Sequence, residues 1–180
     1  MNGRSAIGIM DVGDVMTQSA HPRVAELIRE LQLIPHPEGG YYSVVFRSPS
    51  MVVPPDGRGS RPGLTSIYFL LPDGAFSRWH RVMSDEVWHF YEGAPLELLQ
   101  LSADLTSLAR VALGPLTVDQ APVHTVAAGD WQAARTTGTY TLVGCTVGPG
   151  FDFQDFTLLS DVSDAAFNAR TAWPEVADLL

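Results

Sequence analysis

The chain has 180 residues, of which 46% are hydrophobic and 17% are charged, and its formal net charge is -9. This length predicts one domain, which buries roughly 70% of the surface of its unfolded chain and needs no disulfide or structural metal. Acidic residues outnumber basic ones by 20 to 11, which argues against a nucleic-acid surface and against binding to an anionic membrane. No run of about 18 apolar residues occurs, so no transmembrane helix is predicted.

The N-terminal segment, residues 1–20, lacks the pattern of a signal peptide, and we interpret it as a poorly ordered leader before a single domain at 21–180. Cys145 is the one cysteine, which precludes an intramolecular disulfide and favours a reducing, cytoplasmic location. Pro22 suits the first position of a helix, and the apolar residues after it fall on one helical face. These residues are Val24, Leu27, Ile28 and Leu31.

The chain then continues as short β-rich runs separated by turn signals. The predicted strands cover 41–47, 65–71, 76–82, 86–91, 96–101, 108–113, 131–136, 139–147 and 156–159. The Pro- and Gly-rich segment 48–63 is predicted as a loop, with a lid, a dimer arm and a mobile connection as its alternative roles. A short helix is predicted at 174–180. Many short strands, none followed by a long helix, indicate a β-sandwich or β-barrel with a ligand site at its mouth.

The stretch 74–93 carries the most chemical information. His80 follows Gly74 after five residues, and Glu86 lies six residues beyond His80. This spacing resembles the first cupin motif, in which a His-x-His pair and a glutamate form one side of a metal site. Two histidines spaced in this way would share a face of a strand, because side chains alternate with a period of two.

Two of the four usual ligand positions of the cupin motifs hold other residues here. Val82 stands at the second histidine position, and Gln132 stands where the second motif carries its fourth ligand. His80 and Glu86 remain as weak metal candidates, fewer than the three or more protein ligands typical of a tight divalent site. We therefore predict no metal cofactor, with a bound divalent cation as the alternative.

Six ordered blocks of sequence between residues 22 and 159 are similar to the cupin type 5 family. The blocks are HPEGGYY at 36–42, TSIYFLL at 65–71, SRWHR at 77–81, DEVWHF at 85–90, GDWQAA at 129–134 and LVGCTVGPGFDF at 142–153. The resemblance implies an all-β, RmlC-like jelly roll, the cupin double-stranded β-helix, and a homodimer. It also implies that the glutamine at the fourth ligand position is ordinary for the family. A Glu-Thr pair frequent in the family is Val44-Val45 here, which predicts a more apolar pocket.

His80 and Glu86 are the predicted catalytic residues. A histidine on an inward-facing strand beside a carboxylate can act as a general base, with the carboxylate fixing its tautomer and raising its basicity. The alternative is a buried His–Glu pair with a purely structural role.

Four further residues are predicted to contact the ligand. Arg78 has the strand parity of His80 and would suit a carboxylate or phosphate, although a salt bridge at the rim or dimer interface is an equal alternative. Gln132 offers both a donor and an acceptor. Trp88 would form an apolar wall with Phe90, unless both are barrel core. Tyr68 is included because RmlC-like epimerases pair a His base with a Tyr acid. Tyr41, Tyr42 and Tyr140 are further candidates for that acid.

Two features of the segment 36–40 are predicted to have no chemical role. Glu38-Gly39-Gly40 is interpreted as a backbone feature in which glycine permits a positive φ. His36 is expected to be solvated because it lies in a Pro-flanked loop.

Three functions follow from these residues. The first is a metal-independent, isomerase- or epimerase-like enzyme that acts on a small polar metabolite, with His80 as its base and Glu86 as its partner. The second is a protein that binds a small molecule in the same pocket without changing it. The third is a metal-dependent cupin enzyme with an incomplete ligand set.

Overall fold

The computed structural model of the protein describes residues 21–180, so the leader predicted at 1–20 lies outside the described residues. The described residues form thirteen strands and two α-helices. The strands are β1 (Ile34–Pro35), β2 (Tyr41–Arg47), β3 (Met51–Val52), β4 (Arg61–Pro62), β5 (Thr65–Pro72), β6 (Phe76–Val82), β7 (Asp85–Gly93), β8 (Leu96–Leu101), β9 (Leu108–Leu113), β10 (Val123–Val126), β11 (Trp131–Thr136), β12 (Tyr140–Gly148) and β13 (Phe156–Leu158). The helices are α1 (Pro22–Glu30) and α2 (Ser163–Ala172), with 3-10 turns at Phe153–Asp155, Leu159–Asp161 and Pro174–Leu179.

Two antiparallel sheets face each other across the main core. One has six strands in the order β1-β2-β5-β12-β7-β10, and the other has five in the order β13-β6-β11-β8-β9. Buried side chains from both sheets meet between them, among them Phe69, Trp88, Leu98 and Val143. This arrangement confirms the predicted all-β jelly roll, in which inward-facing side chains of each strand form the core and alternate residues face outward.

Helices cover the outer faces of both sheets. Helix α1 begins at the predicted Pro22 and packs Val24 and Leu27 against Leu70 of the six-stranded sheet. The C-terminal segments cover the five-stranded sheet, where Trp79 donates its indole N–H to the carbonyl of Val176 over 3.0 Å. The sequence prediction of a helix at 174–180 corresponds to a 3-10 turn, and helix α2 before it was not predicted. No helix within residues 21–180 is both long and apolar enough to cross a lipid bilayer.

The segment predicted as a loop at 48–63 contains the short β3–β4 pair and is tied to the barrel. Arg61 is buried and forms two hydrogen bonds of 2.8 Å with the carboxylate of Asp155. Arg58 adds a third contact to the same carboxylate at 3.2 Å. The ion pair holds this segment against the turn that follows β12.

An extra residue in β6 sets the direction of the side chains around His80. Gln132 of β11 pairs with His80 of β6, and Ala134 pairs with Ser77. The two pairs are therefore two residues apart on β11 but three residues apart on β6. This β-bulge interrupts the alternation of the strand, so Ser77 and His80 both face the space between the sheets. Arg78 therefore does not share the direction of His80.

Candidate functional site

A cavity of about 310 Å³ opens between the two sheets, a volume within the range of small-molecule sites. Its walls are mainly aromatic and aliphatic, and three of its buried polar side chains are linked by short contacts. The wall includes Tyr42, Ile67, Phe69, Phe151, Phe153 and Phe156, and the polar group includes Glu38, His80 and Glu86. We refer to Glu38, His80 and Glu86 as the floor of the cavity.

The tautomer of His80 is set by a backbone carbonyl. Its Nδ1 lies 2.8 Å from the carbonyl oxygen of Arg78, and because a carbonyl only accepts, Nδ1 carries the hydrogen. In the neutral ring the lone pair is then on Nε2, at the floor. Burial lowers the pKa of His80, against the opposing effects of Glu86 and the Arg78 carbonyl. The expectation that Glu86 fixes this tautomer is not met.

Gln132 joins His80 to Glu86 from behind the floor. The Trp88 indole N–H donates to Oε1 of Gln132 over 2.9 Å. Since an indole only donates, this bond directs the amide NH₂ of Gln132 the other way. Its Nε2 donates to Oε2 of Glu86 over 2.6 Å and lies 3.1 Å from Nε2 of His80. Gln132 and Trp88 therefore belong to the support of the site, and Trp88 is also part of the core.

Glu86 is buried on β7 and faces the cavity as predicted. Desolvation raises its pKa and the nearby Glu38 adds to the rise, while the proximity of His80 and the hydrogen bond from Gln132 oppose it. Burial also raises the pKa of the neighbouring Cys145 thiol well above its usual range. Cys145 is therefore a neutral wall residue.

Glu38 is the floor residue that the sequence analysis missed. Its Oε1 accepts from the Ser77 hydroxyl over 2.8 Å, and its Oε2 lies 3.2 Å from Nε2 of His80. Burial raises its pKa to about 8. The two glycines after it do serve the backbone, with φ of 116° at Gly39 and 68° at Gly40, and this turn directs Glu38 into the cavity. The sequence signal that could have identified Glu38 is its position directly before two glycines.

His36 lines the cavity beside Glu38 and is not solvated as expected. Its side chain is only 7% exposed, and its ring packs edge-on against Tyr42 with 4.6 Å between centroids. The backbone N–H of Glu38 donates to its Nδ1 over 3.3 Å. Burial lowers its pKa to about 4, so the ring is neutral near neutral pH.

Two predicted ligand residues lie away from the cavity. Arg78 donates to the carbonyl of Pro37 because the bulge in β6 changes its direction. Tyr68 packs with the α1 cluster and meets Tyr91 edge-on at 5.9 Å, because Ile67 and Phe69 of the same strand occupy the inward positions. Of the other tyrosines considered, Tyr42 lines the cavity.

Three phenylalanines form one wall of the cavity. Phe153 lies within 6.3 Å of both Phe151 and Phe156 between ring centroids. Phe156 also stacks on His80 at 5.3 Å with an angle of 27°. Because Asp155 lies within this stretch, its ion pair with Arg61 fixes the wall in place.

Comparisons with known proteins agree with this fold. Residues 25–159 match the family described as Cupin superfamily (DUF985). The chain belongs to this cupin family. Among the curated proteins, none matches the chain.

Solved structures similar to this cupin fall into two groups. A hypothetical protein from Leishmania major is 31% identical, with a TM-score of 0.73, and the alignment covers 86% of this chain and 94% of that one. A protein from Shewanella oneidensis is also 31% identical at a TM-score of 0.73, with 91% and 97% covered. The capsular polysaccharide assembling protein CapF from Staphylococcus aureus is 10% identical at a TM-score of 0.52, with 70% and 33% covered. This last likeness concerns the fold alone.

The floor of this cupin does not fit the metal set of the cupin motifs. Within residues 21–180, no group of three or more His, Cys, Asp or Glu side chains is arranged to hold a metal ion. The amide NH₂ of Gln132 points at Nε2 of His80 and Oε2 of Glu86, so its hydrogens face the space that a shared cation would occupy. Its oxygen is held away by Trp88.

Proposed function

We propose that this cupin binds a small metabolite in the cavity and moves a proton on it, as an isomerase or epimerase does. His80 acts as the base through Nε2, and Glu86 is its carboxylate partner through Gln132. The observation that carries the proposal is the bond from Nδ1 of His80 to the Arg78 carbonyl, which leaves the basic nitrogen of a neutral ring at the floor. A base with a lowered pKa stays unprotonated and available at neutral pH.

A second candidate is binding without chemistry. It is supported by the position of Gln132, whose amide nitrogen lies 3.1 Å from Nε2 of His80 and so occupies the lone pair that a base would use. In this case the cavity holds its ligand by the aromatic wall and the floor, and the ligand is released unchanged.

Hydrogen–deuterium exchange at carbon separates the two candidates. We expect the wild-type protein in D₂O to exchange a C–H beside the carbonyl of at least one member of a panel of sugars and keto compounds, followed by proton NMR. His80→Ala should slow this exchange by at least about 100-fold, the usual contribution of a general base. His89→Gln, on β7 and outside the cavity, is the matched control. A ligand that binds but never exchanges identifies the second candidate.

We also propose that the protein is a homodimer. Strand β2 has a second neighbour only at Tyr41 and Tyr42, within the described residues, so 43–47 form a free sheet edge. This edge and the residues after it expose large apolar side chains, a combination that favours association. These side chains, the β2–β3 apolar face, are Val44, Val45, Phe46, Met51, Val52 and Val53.

Native mass spectrometry tests the dimer. The wild-type protein is expected at twice the chain mass, and Val45→Lys with Val53→Lys at the mass of one chain, because charges would be buried without partners. Val118→Lys, at a fully exposed position elsewhere, should remain dimeric. A wild-type protein that is monomeric at micromolar concentration would refute the proposal.

A further inference from the structure

The hydrogen-bond pattern around Glu38 favours a proton on its carboxyl group. Oε2 of Glu38 lies 3.2 Å from Nε2 of His80 and 3.5 Å from Nδ1 of His36. Nδ1 of His36 accepts from the Glu38 backbone N–H, and Nε2 of His80 bears a lone pair because Nδ1 holds the hydrogen. Neither nitrogen therefore offers a hydrogen to Oε2, and an ionised Oε2 would be buried without a hydrogen-bond donor. A neutral carboxylic acid removes this unbalanced charge and becomes a donor.

Protonated His80 does not offer an equally good arrangement. A hydrogen on its Nε2 would point at the amide hydrogens of Gln132, whose direction is fixed by the Trp88 indole. With neutral His80 and no ligand bound, the Gln132 amide donates to Nε2 and takes up its lone pair. The hydroxyl hydrogen of Glu38 is then left to face the cavity, where a ligand can accept it.

The charged and titratable groups around Glu38 agree with this account. Ser77, Arg78 and His80 face it from β6, Glu86 from β7, Cys145 from β12 and His36 from its own turn. Burial raises the pKa of Glu38 to about 8, and Ser77 and Arg78 only partly oppose this shift. Two carboxylates in one closed floor repel each other, which favours a neutral form of one of them.

The rest of the cavity selects against a charged ligand. Among its lining residues within 21–180, Arg47 is the one Arg or Lys, and its side chain is exposed. An anionic head at the floor would lie beside Glu86 with no cation to balance it, which is costly in a buried site. The phenylalanine wall offers flat apolar faces to a ring.

We propose that Glu38 donates a hydrogen bond to the ligand and that this ligand is an uncharged ring compound with a carbonyl oxygen. This proposal rests on the ligand site proposed above. The ring packs among Phe151, Phe153 and Phe156, and the carbonyl lies at the floor. Carboxylates and phosphates are excluded from the floor. The donor also polarises the carbonyl, which makes an adjacent C–H easier to remove.

Three probes of one shape and different charge test the ligand class: benzamide, benzoate and benzamidine. By isothermal titration calorimetry at neutral pH, benzamide should bind the wild-type protein at least about tenfold more tightly than either ion. Glu38→Gln keeps a donor at the position of Oε2 and should hold benzamide within about threefold, whereas Glu38→Ala should weaken it about tenfold. Tightest binding of benzamidine or of benzoate, or no binding of benzamide at millimolar concentration, would overturn the proposal.

Infrared spectroscopy reads the proton directly. At neutral pH the wild-type protein should show the carbonyl stretch of a protonated carboxylic acid, lost in Glu38→Gln and kept in Glu86→Gln. A band that is missing in the wild type, or lost only in Glu86→Gln, would contradict the assignment. Neither measurement depends on turnover. If carbon exchange is absent while benzamide is preferred, the proposed catalysis fails and the proposed ligand class stands. If carbon exchange occurs while benzamide is not preferred, the proposed catalysis stands and the ligand class fails.

Discussion

A Gln132→Leu variant is expected to lose about 3–5 kcal/mol of unfolding free energy, measured by urea denaturation, because three buried groups lose their partner at once. The Trp88 indole N–H loses its acceptor, and Glu86 loses the donor that lies 2.6 Å from its carboxylate. His80 loses the amide beside Nε2. Leucine has nearly the volume of glutamine, so the effect reports on hydrogen bonds and little on packing.

Two further variants show where this loss originates. Combining Gln132→Leu with Trp88→Phe should cost less than the two single changes added together, since the indole N–H is then absent. Gln100→Leu is the matched control: Gln100 also bonds to two side chains, Asp130 and His124, but at a partly exposed position. Water can satisfy those partners, so a loss of about 1 kcal/mol is expected there. Equal losses at positions 100 and 132 would contradict our description of the floor.

The second large effect is on the pH dependence of stability. Glu38 has its pKa raised from 4.5 to about 8 in the folded protein, so over this window the unfolded chain releases a proton that the folded protein retains. Wild-type stability attributable to Glu38 is therefore complete below pH 4.5 and falls as the pH rises towards 8. The change is about 1.4 kcal/mol per pH unit, and about 5 kcal/mol over the window. The glutamine in Glu38→Gln does not titrate. The unfolding free energy of this variant relative to the wild type should therefore rise by the same amount between pH 4.5 and 8.

Urea denaturation across this pH range measures the difference between the two proteins. The comparison cancels groups that titrate alike in both proteins. His36→Gln provides a control of opposite sign: the pKa of His36 is lowered from 6.5 to about 4, so its contribution is complete above pH 6.5 and is lost as the pH falls towards 4. Parallel curves for the wild type and Glu38→Gln between pH 6.5 and 8 would show that Glu38 is ionised in the folded protein.

The sequence predicted the barrel because strand periodicity and turn residues are local signals. All nine predicted runs correspond closely to strands of the structure, and helix α1 begins at the predicted Pro22. The last run, at 156–159, extends one residue beyond β13, where a 3-10 turn begins. Helix α2 was missed because it has only a weak apolar face of small residues, Ala166 and Ala169.

Two of the three floor residues could be predicted, and the third could not. His80 and Glu86 lie on regular parts of a recognisable motif. Glu38 lies in a turn, where no periodicity indicates direction, and its contacts with Ser77 and His80 cross about forty residues of chain. The Arg61–Asp155 pair joins residues 94 apart in the sequence, and nothing local to either residue identifies the other. Tyr68 was misplaced because both alternate faces of β5 are apolar.

The bulge in β6 has a consequence for sequence alignment. Because one residue between Ser77 and His80 has no counterpart on β11, the five residues that separate Gly74 from His80 include an insertion relative to a regular strand. An alignment that matches this motif by residue count therefore pairs equivalent histidines but non-equivalent neighbours. When a cupin with the bulge is aligned with one that lacks it, the gap belongs at 78–79. Residues on the N-terminal side of this gap should be matched by the direction of their side chains and not by residue count.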